Sequence, residues 1–168
     1  MVKPKIQDGL FLFCGIVGAC ILLSGLFYGP AQLYYVLGSI LLLFTALHFK
    51  LTYFMALELI LISGHGAILL EFSNHLQIAL PILLSVQLLF FYLLSGQLSN
   101  VFLVVGISGI ALLSIGFAYA NQWVFFLGSI SIAIYAFYTA YQGKPITLLW
   151  AILNTLFALT AVVKLIFY

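Results

Sequence analysis

Polar residues interrupt this chain at intervals of roughly one membrane thickness. Clusters of Lys, Pro, Asn, Gln and Gly fall near Gly29-Pro30, His48 to Leu51, Glu71 to Gln77, Ser95 to Asn100, Ala120 to Gln122 and Gln142 to Pro145. Such clusters mark turns. Between them the pattern predicts seven helices, at 9–28, 32–49, 51–71, 76–95, 99–119, 122–142 and 145–166. Each is close to the ~20 apolar residues that cross a bilayer. A membrane β-strand would alternate polar and apolar positions. The runs at 40–44 and 101–105 are apolar throughout, so helices are expected. Pro30 and Pro145 stand at helix starts, where a missing N–H does no harm. Pro81 lies about a turn inside the fourth span and is expected to start or kink it. Residues 1–168 read as a single polytopic domain, and the first span reads as a retained helix rather than a signal peptide.

Composition narrows the class. Of the 168 residues, 66% are hydrophobic and 5% are charged. A soluble domain carries about 25% charged residues. This composition excludes a water-soluble fold, a disordered tail and an electrostatic binder of nucleic acid. The lipid bilayer is the expected partner, and no extramembrane domain fits in the loops. Lys3, Lys5, Lys50 and Lys144 fall on one face, with Lys164 and Glu71 on the other. The positive-inside rule then puts the N-terminus in the cytoplasm and the C-terminus outside, with a bacterial inner membrane as the expected site. Tyr28, Tyr34, Tyr35, Tyr119, Trp123 and Tyr168 are expected at the outer interface, and Tyr53, Tyr92 and Tyr141 at the inner one.

The chain also resembles itself. Aligning 9–29 with 100–120 pairs Phe11, Gly15, Gly18, Gly25 and Tyr28 with Phe102, Gly106, Gly109, Gly116 and Tyr119. One loop residue is then dropped. Gln32 pairs with Gln122, and Leu37-Gly38-Ser39-Ile40 with Leu127-Gly128-Ser129-Ile130; Lys50 later meets Lys144. Spans 1–3 (about 9–71) therefore read as repeated in spans 5–7 (about 99–166), with the fourth (about 76–95) as a linker helix. Four helices of displacement return the chain to the same side, so the repeats are parallel. The shared glycines are expected to let helices approach closely.

This layout resembles the SWEET, PQ-loop and nicotinamide riboside carrier superfamily, in which two three-helix bundles flank a linker helix. The likeness covers nearly the whole chain and rests on layout. Gln32 and Gln122 follow Ala31 and Asn121, so there is no Pro-Gln pair. The resemblance implies a central pocket between the bundles and alternating access of a small solute. It also implies an asparagine of each bundle's third helix pointing into that pocket. Asn154 fits that position in the second bundle, and Glu58 stands there in the first. Such an asymmetric site suits a polar or cationic solute.

Ionisable groups inside a span each need a partner or a task, because a charge at the centre costs about 2.5–3.5 kcal/mol on insertion scales. Glu58 and His65 lie on one stripe of the third span, about 10 Å apart. They read as a protonatable pocket wall, or as a hydrogen-bonded carboxyl and a structural imidazole. Trp150 and Asn154 share a face of the seventh span. Trp150 either stacks on a solute or anchors the inner interface, and Asn154 binds solute or bonds a neighbouring helix. Gln87 and Tyr135 are further pocket candidates, each with a packing alternative. Ser73 or Asn74 is expected to cap the fourth helix. His48, beside Lys50, reads as interfacial. Cys14 and Cys20 point to different faces and read as packing residues. No motif suggests a metal, a cofactor or catalytic residues. The leading expectation is a transporter or facilitator of a small polar solute and not an enzyme. The alternatives are a non-transporting membrane subunit with a lateral or homo-oligomeric partner, and a small ion channel.

Overall fold

The computed structural model describes residues 6–98 and 100–167. Lys3, Lys5 and Tyr168, which carry part of the expected orientation, lie outside the described residues, as does Ser99 in the fourth break. Seven helices follow in order: α1 (Ile6–Ser24), α2 (Ala31–His48), α3 (Thr52–Leu69), α4 (Asn74–Leu94), α5 (Val101–Ala118), α6 (Gln122–Tyr141) and α7 (Leu148–Phe167). A short 3-10 turn, Pro145–Thr147, leads into α7. No strand occurs among the described residues. All seven helices are long and apolar enough to cross a membrane, as in a multi-pass integral membrane protein. Their outward faces carry large apolar side chains such as Leu94, Phe102 and Leu159, a surface that water does not tolerate.

Helix ends follow local chemistry. α5 and α6 start under side-chain caps: Asn100 Oδ1 accepts from Phe102 N, and Asn121 Oδ1 from Trp123 N and Val124 N. Ser73 stands at the cap position of α4, yet its hydroxyl makes no capping bond. α2, α3 and α5 end in left-handed residues that are not glycine: Lys50 (φ 54°), Glu71 (φ 55°) and Ala120 (φ 52°). Each closes the 6→1 backbone bond of a Schellman turn, as Leu51 N does to Ala46 O at 2.9 Å. Pro81 neither starts nor ends α4. It is buried in the middle of a continuous helix, and a Cβ on Gly64 of α3 would sit 3.0 Å from its Cγ.

Packing puts the helices in two rows. α1, α2 and α3 pack in sequence, as do α5, α6 and α7. α4 lies against α3 and α5, and smaller contacts join α3 to α5 and α1 to α7. Glycines set the closest approaches. A Cβ on Gly18 would lie 2.8 Å from Gly38 O across α1 and α2. A Cβ on Gly109 would lie 2.8 Å from Ser131 Cβ, and one on Gly128 would collide with the Leu113 backbone, across α5 and α6. α1 stops at Ser24, earlier than the pattern suggests. Gly25 there turns the chain against Tyr35, whose hydroxyl donates to its carbonyl at 3.2 Å.

Candidate functional site

Glu58 stands on the buried face of α3, and Trp150 on that of α7. The indole Nε1–H of Trp150 donates to Glu58 Oε1 at 2.7 Å, a bond between the two rows. Phe54, one turn before Glu58, lies on the same indole with centroids 4.6 Å apart. Asn154, one turn after Trp150, donates Nδ2–H to the Trp150 carbonyl at 3.0 Å. Trp150 is fully enclosed, with 0% of its surface exposed, which excludes an interfacial anchor.

Polar atoms here are short of partners. Among the described residues, Glu58 Oε2 and Asn154 Oδ1 of this centre are buried without a hydrogen bond, as are the hydroxyls of Ser39 on α2 and Ser129 on α6. The Ser39 hydroxyl is within electrostatic reach of the Glu58 carboxyl but closes no bond to it. A buried polar atom left unpaired costs about 1–3 kcal/mol, so four of them call for an explanation beyond packing.

A cavity opens at each end of the bundle, and the one beside Lys50 is the more polar. One, of about 160 Å³, lies between the rows and is lined by Gln32, Tyr35, Phe117, Gln122, Phe125 and Lys164. The other, of about 200 Å³, is bounded by α3, α4, α5 and α6 and includes Lys50, Tyr53, Tyr92, Tyr135, Thr139 and Lys144. Aromatic rings close both cavities off from the centre. The Tyr53 and Tyr135 rings meet at a tilt with centroids 4.2 Å apart, and Phe54 links that pair to Trp150. At the opposite end, the His65 ring is held between Tyr35 at 4.7 Å and Phe117 at 4.4 Å.

The structure thus brings Glu58, Trp150 and Asn154 together and distributes the other expected site residues. Tyr135 belongs to the cavity beside Lys50. His65 sits in the aromatic closure of the other cavity, buried, with neither ring nitrogen hydrogen-bonded among the described residues. Gln87 faces outward on the exposed side of α4 and does not join the group. Tyr35, Tyr53 and Tyr92 are not interfacial. All three are buried, and they line the cavities. His48 has a partner that sequence spacing hid: its Nε2 lies 2.8 Å from Asp8 Oδ1, and its ring stacks on Phe11. Ser39, Ser129 and Phe54 were missed as site residues. Ser39 and Ser129 did stand out as a matched pair in the internal alignment, which was the one signal available. Cys14 and Cys20 are free thiols, and no cluster of three metal-ligating side chains occurs among the described residues.

No family model, curated protein or solved structure matches the chain.

Proposed function

We propose that the chain is a membrane carrier or facilitator of a small polar solute, built from two parallel three-helix repeats joined by α4. The observation that carries the reading is the bond from Trp150 of one row to Glu58 of the other, enclosed between two cavities that each hold polar side chains. A carrier needs a site reachable from either side and a barrier on each side of it. Glu58, Asn154, Ser39 and Ser129 would hydrogen-bond the solute through the atoms left without partners. The Phe54–Tyr135–Tyr53 and His65–Tyr35–Phe117 ring clusters would be the two gates. Rocking one row against the other would part the Trp150–Glu58 bond and admit solute from one cavity at a time.

Several correspondences support the duplicated architecture. The buried positions Phe54, Leu57, Glu58, Leu61 and His65 of α3 recur at the same spacing as Trp150, Leu153, Asn154, Phe157 and Ala161 of α7. Tyr35, Gly38, Ser39, Leu42 and Ala46 of α2 recur as Phe125, Gly128, Ser129, Ile132 and Ala136 of α6. A twofold axis along the membrane normal would exchange the α3–α5 contact with the α7–α1 contact, and both occur. In this reading the Lys50–Lys144 end is cytoplasmic and the membrane is a bacterial inner membrane.

The test is a thermal-unfolding screen of the purified chain against sugars, nucleosides, vitamins, amino acids and amines. Glu58→Gln and Asn154→Ala are run beside it. A ligand at 100 times its Kd adds about 2.7 kcal/mol. Glu58→Gln keeps an acceptor for the indole, so the fold survives while the carboxyl is lost. A hit weakened in both variants supports the carrier. A hit unchanged in both, or no hit with both variants as stable as the wild type, overturns it. Copurification with another membrane protein would then favour the subunit reading, and solute-independent conductance the channel.

A further inference from the structure

We propose that the cleft between Lys50 and Lys144 binds a phosphate group, carried either by a lipid headgroup or by free phosphate. The inference goes beyond the carrier reading and holds whether or not a solute crosses.

The cleft is a real cavity, and its size is selective. At about 200 Å³ it falls below the ~300–1,000 Å³ of sites for drug-sized ligands, so it suits a headgroup or a small anion. Its charge is one-sided. Lys50 and Lys144 both line it, and neither pairs with a carboxylate among the described residues. The acids lie elsewhere: Asp8 is beside His48, Glu58 holds Trp150, and Glu71 follows the far end of α3.

The backbone adds positive potential. Leu51 to Phe54, the first turn of α3, form one wall. No side chain caps this turn, so its leading N–H groups remain available. The contrast with α5 and α6 is direct, since Asn100 and Asn121 occupy their leading N–H groups. An uncapped helix start attracts anions, and phosphate above all, through those N–H groups and the helix dipole. The side chains supply a further donor. Tyr92 is 5% exposed and lines the cleft, and its hydroxyl makes no hydrogen bond among the described residues. Two ammonium groups, a row of N–H groups and a buried phenol suit an anion with several oxygens rather than a neutral solute. The cavity at the other end has the single cation Lys164; of the two helix starts there, that of α6 is capped by Asn121 and that of α2 is uncapped, so the difference between the two cavities rests on the paired lysines.

The experiment uses the full chain, delipidated in a maltoside detergent without phosphate. Its unfolding midpoint is followed against inorganic phosphate and, separately, against phosphatidylglycerol in mixed micelles. Potassium chloride at matched ionic strength is the control. The midpoint should rise in at least one arm, and the responding arm identifies the source of the phosphate. Lys144→Gln and Tyr92→Phe should weaken the response, the former about tenfold, as expected for losing a charged hydrogen bond. Lys50→Gln is the second variant should Lys144→Gln not fold. Lys164→Gln should respond as the wild type does. Glu58→Gln, which removes the proposed solute contact, should also respond normally, so this inference and the carrier reading fail separately. No rise in either arm, a rise that survives both lysine substitutions, or equal loss in Lys164→Gln would overturn the proposal.

Discussion

The two rows of helices meet along two seams, and the seams differ in chemistry. Where α3 meets α5, the Tyr53 hydroxyl donates to the Gly106 carbonyl at 2.7 Å. Where α1 meets α7, Leu149 covers Gly15, and a Cβ there would lie 2.6 Å from Leu149 Cδ2. α4 roofs the first seam, and Thr52, Asn100 and Thr139 line the cleft at its end. The second seam has no fourth helix. It ends in an open trough of about 750 Å³ lined by Leu12, Ile16, Phe49, Leu148 and Leu149, whose one charged group, Asp8, is paired with His48. Thr52 and Tyr53 on one seam thus stand against Leu148 and Leu149 on the other. The difference teaches that shelter permits polarity. A seam open sideways to hydrocarbon cannot keep hydroxyls and amides without partners, because each would cost several kcal/mol. A seam under a roof helix can hold them around a solvated cleft.

The largest effect is expected where the seams converge. Trp150→Ala should lower stability by about 3–5 kcal/mol, as for a buried tryptophan, measured by detergent or thermal unfolding. It removes the Phe54 contact and strands Glu58 at once. A loss comparable to that of the exposed Trp123→Ala would mean that the rows do not meet there.

Gly106→Ala and Gly15→Ala test the seams separately. The new methyl at 106 meets Tyr135 Cβ and Cγ at 2.9 Å, atoms close to the backbone that cannot swing away. Overpacking of about 1–3 kcal/mol is expected. At 15 the methyl meets the Leu149 tip and also the buried Thr45, 2.9 Å from its Oγ1, so a cost of the same order is expected. A drop in unfolding midpoint at only one of the two positions would break the comparison.

Solvent access gives a third contrast, on a background with Cys14 and Cys20 replaced. Thr52→Cys should react with a water-borne maleimide about tenfold faster than Leu148→Cys, because only a hydrated thiolate attacks. Both positions are exposed, so equal rates would show that the two seams are equally wet.

The smallest effect is that of Tyr53→Phe, about 1 kcal/mol for the bond to Gly106, read as an unfolding midpoint. Leu149→Met at the apolar seam should cost less. Equal costs would remove the claim that the first seam depends on its polar contact.

Much of the fold was legible in the sequence because turns and apolar runs are local signals. The second to sixth helices fall within two residues of the expected bounds, and the seventh does so once the 3-10 turn that leads into it is included. The overrun of the first helix has a tertiary cause, since Tyr35 on the next helix fixes where Gly25 turns. The candidate site was legible by residue type but not by partner. Glu58, Trp150 and Asn154 stand out as polar or amphipathic groups in apolar runs. That Trp150 bonds Glu58 depends on how α7 lies against α3, and across a sequence separation of 92 nothing in the chain signals it. Gln87 shows the opposite failure: a polar residue in a span looks inward by type, and only the packing of α4 turns it outward.

By itself the sequence determined the number of helices, their apolar character, their boundaries and the glycines at the close crossings. These follow from the bilayer-length apolar run and from residues whose conformational or steric limits act within a turn or two. The tertiary structure alone decided which polar groups meet, which tyrosines are buried rather than interfacial, and that one seam is sheltered and polar while the other is open and apolar. Those outcomes depend on the rotation of each helix about its axis and on where α4 comes to rest. Both are set by packing among side chains far apart in the chain, and neither is written in any local stretch of it.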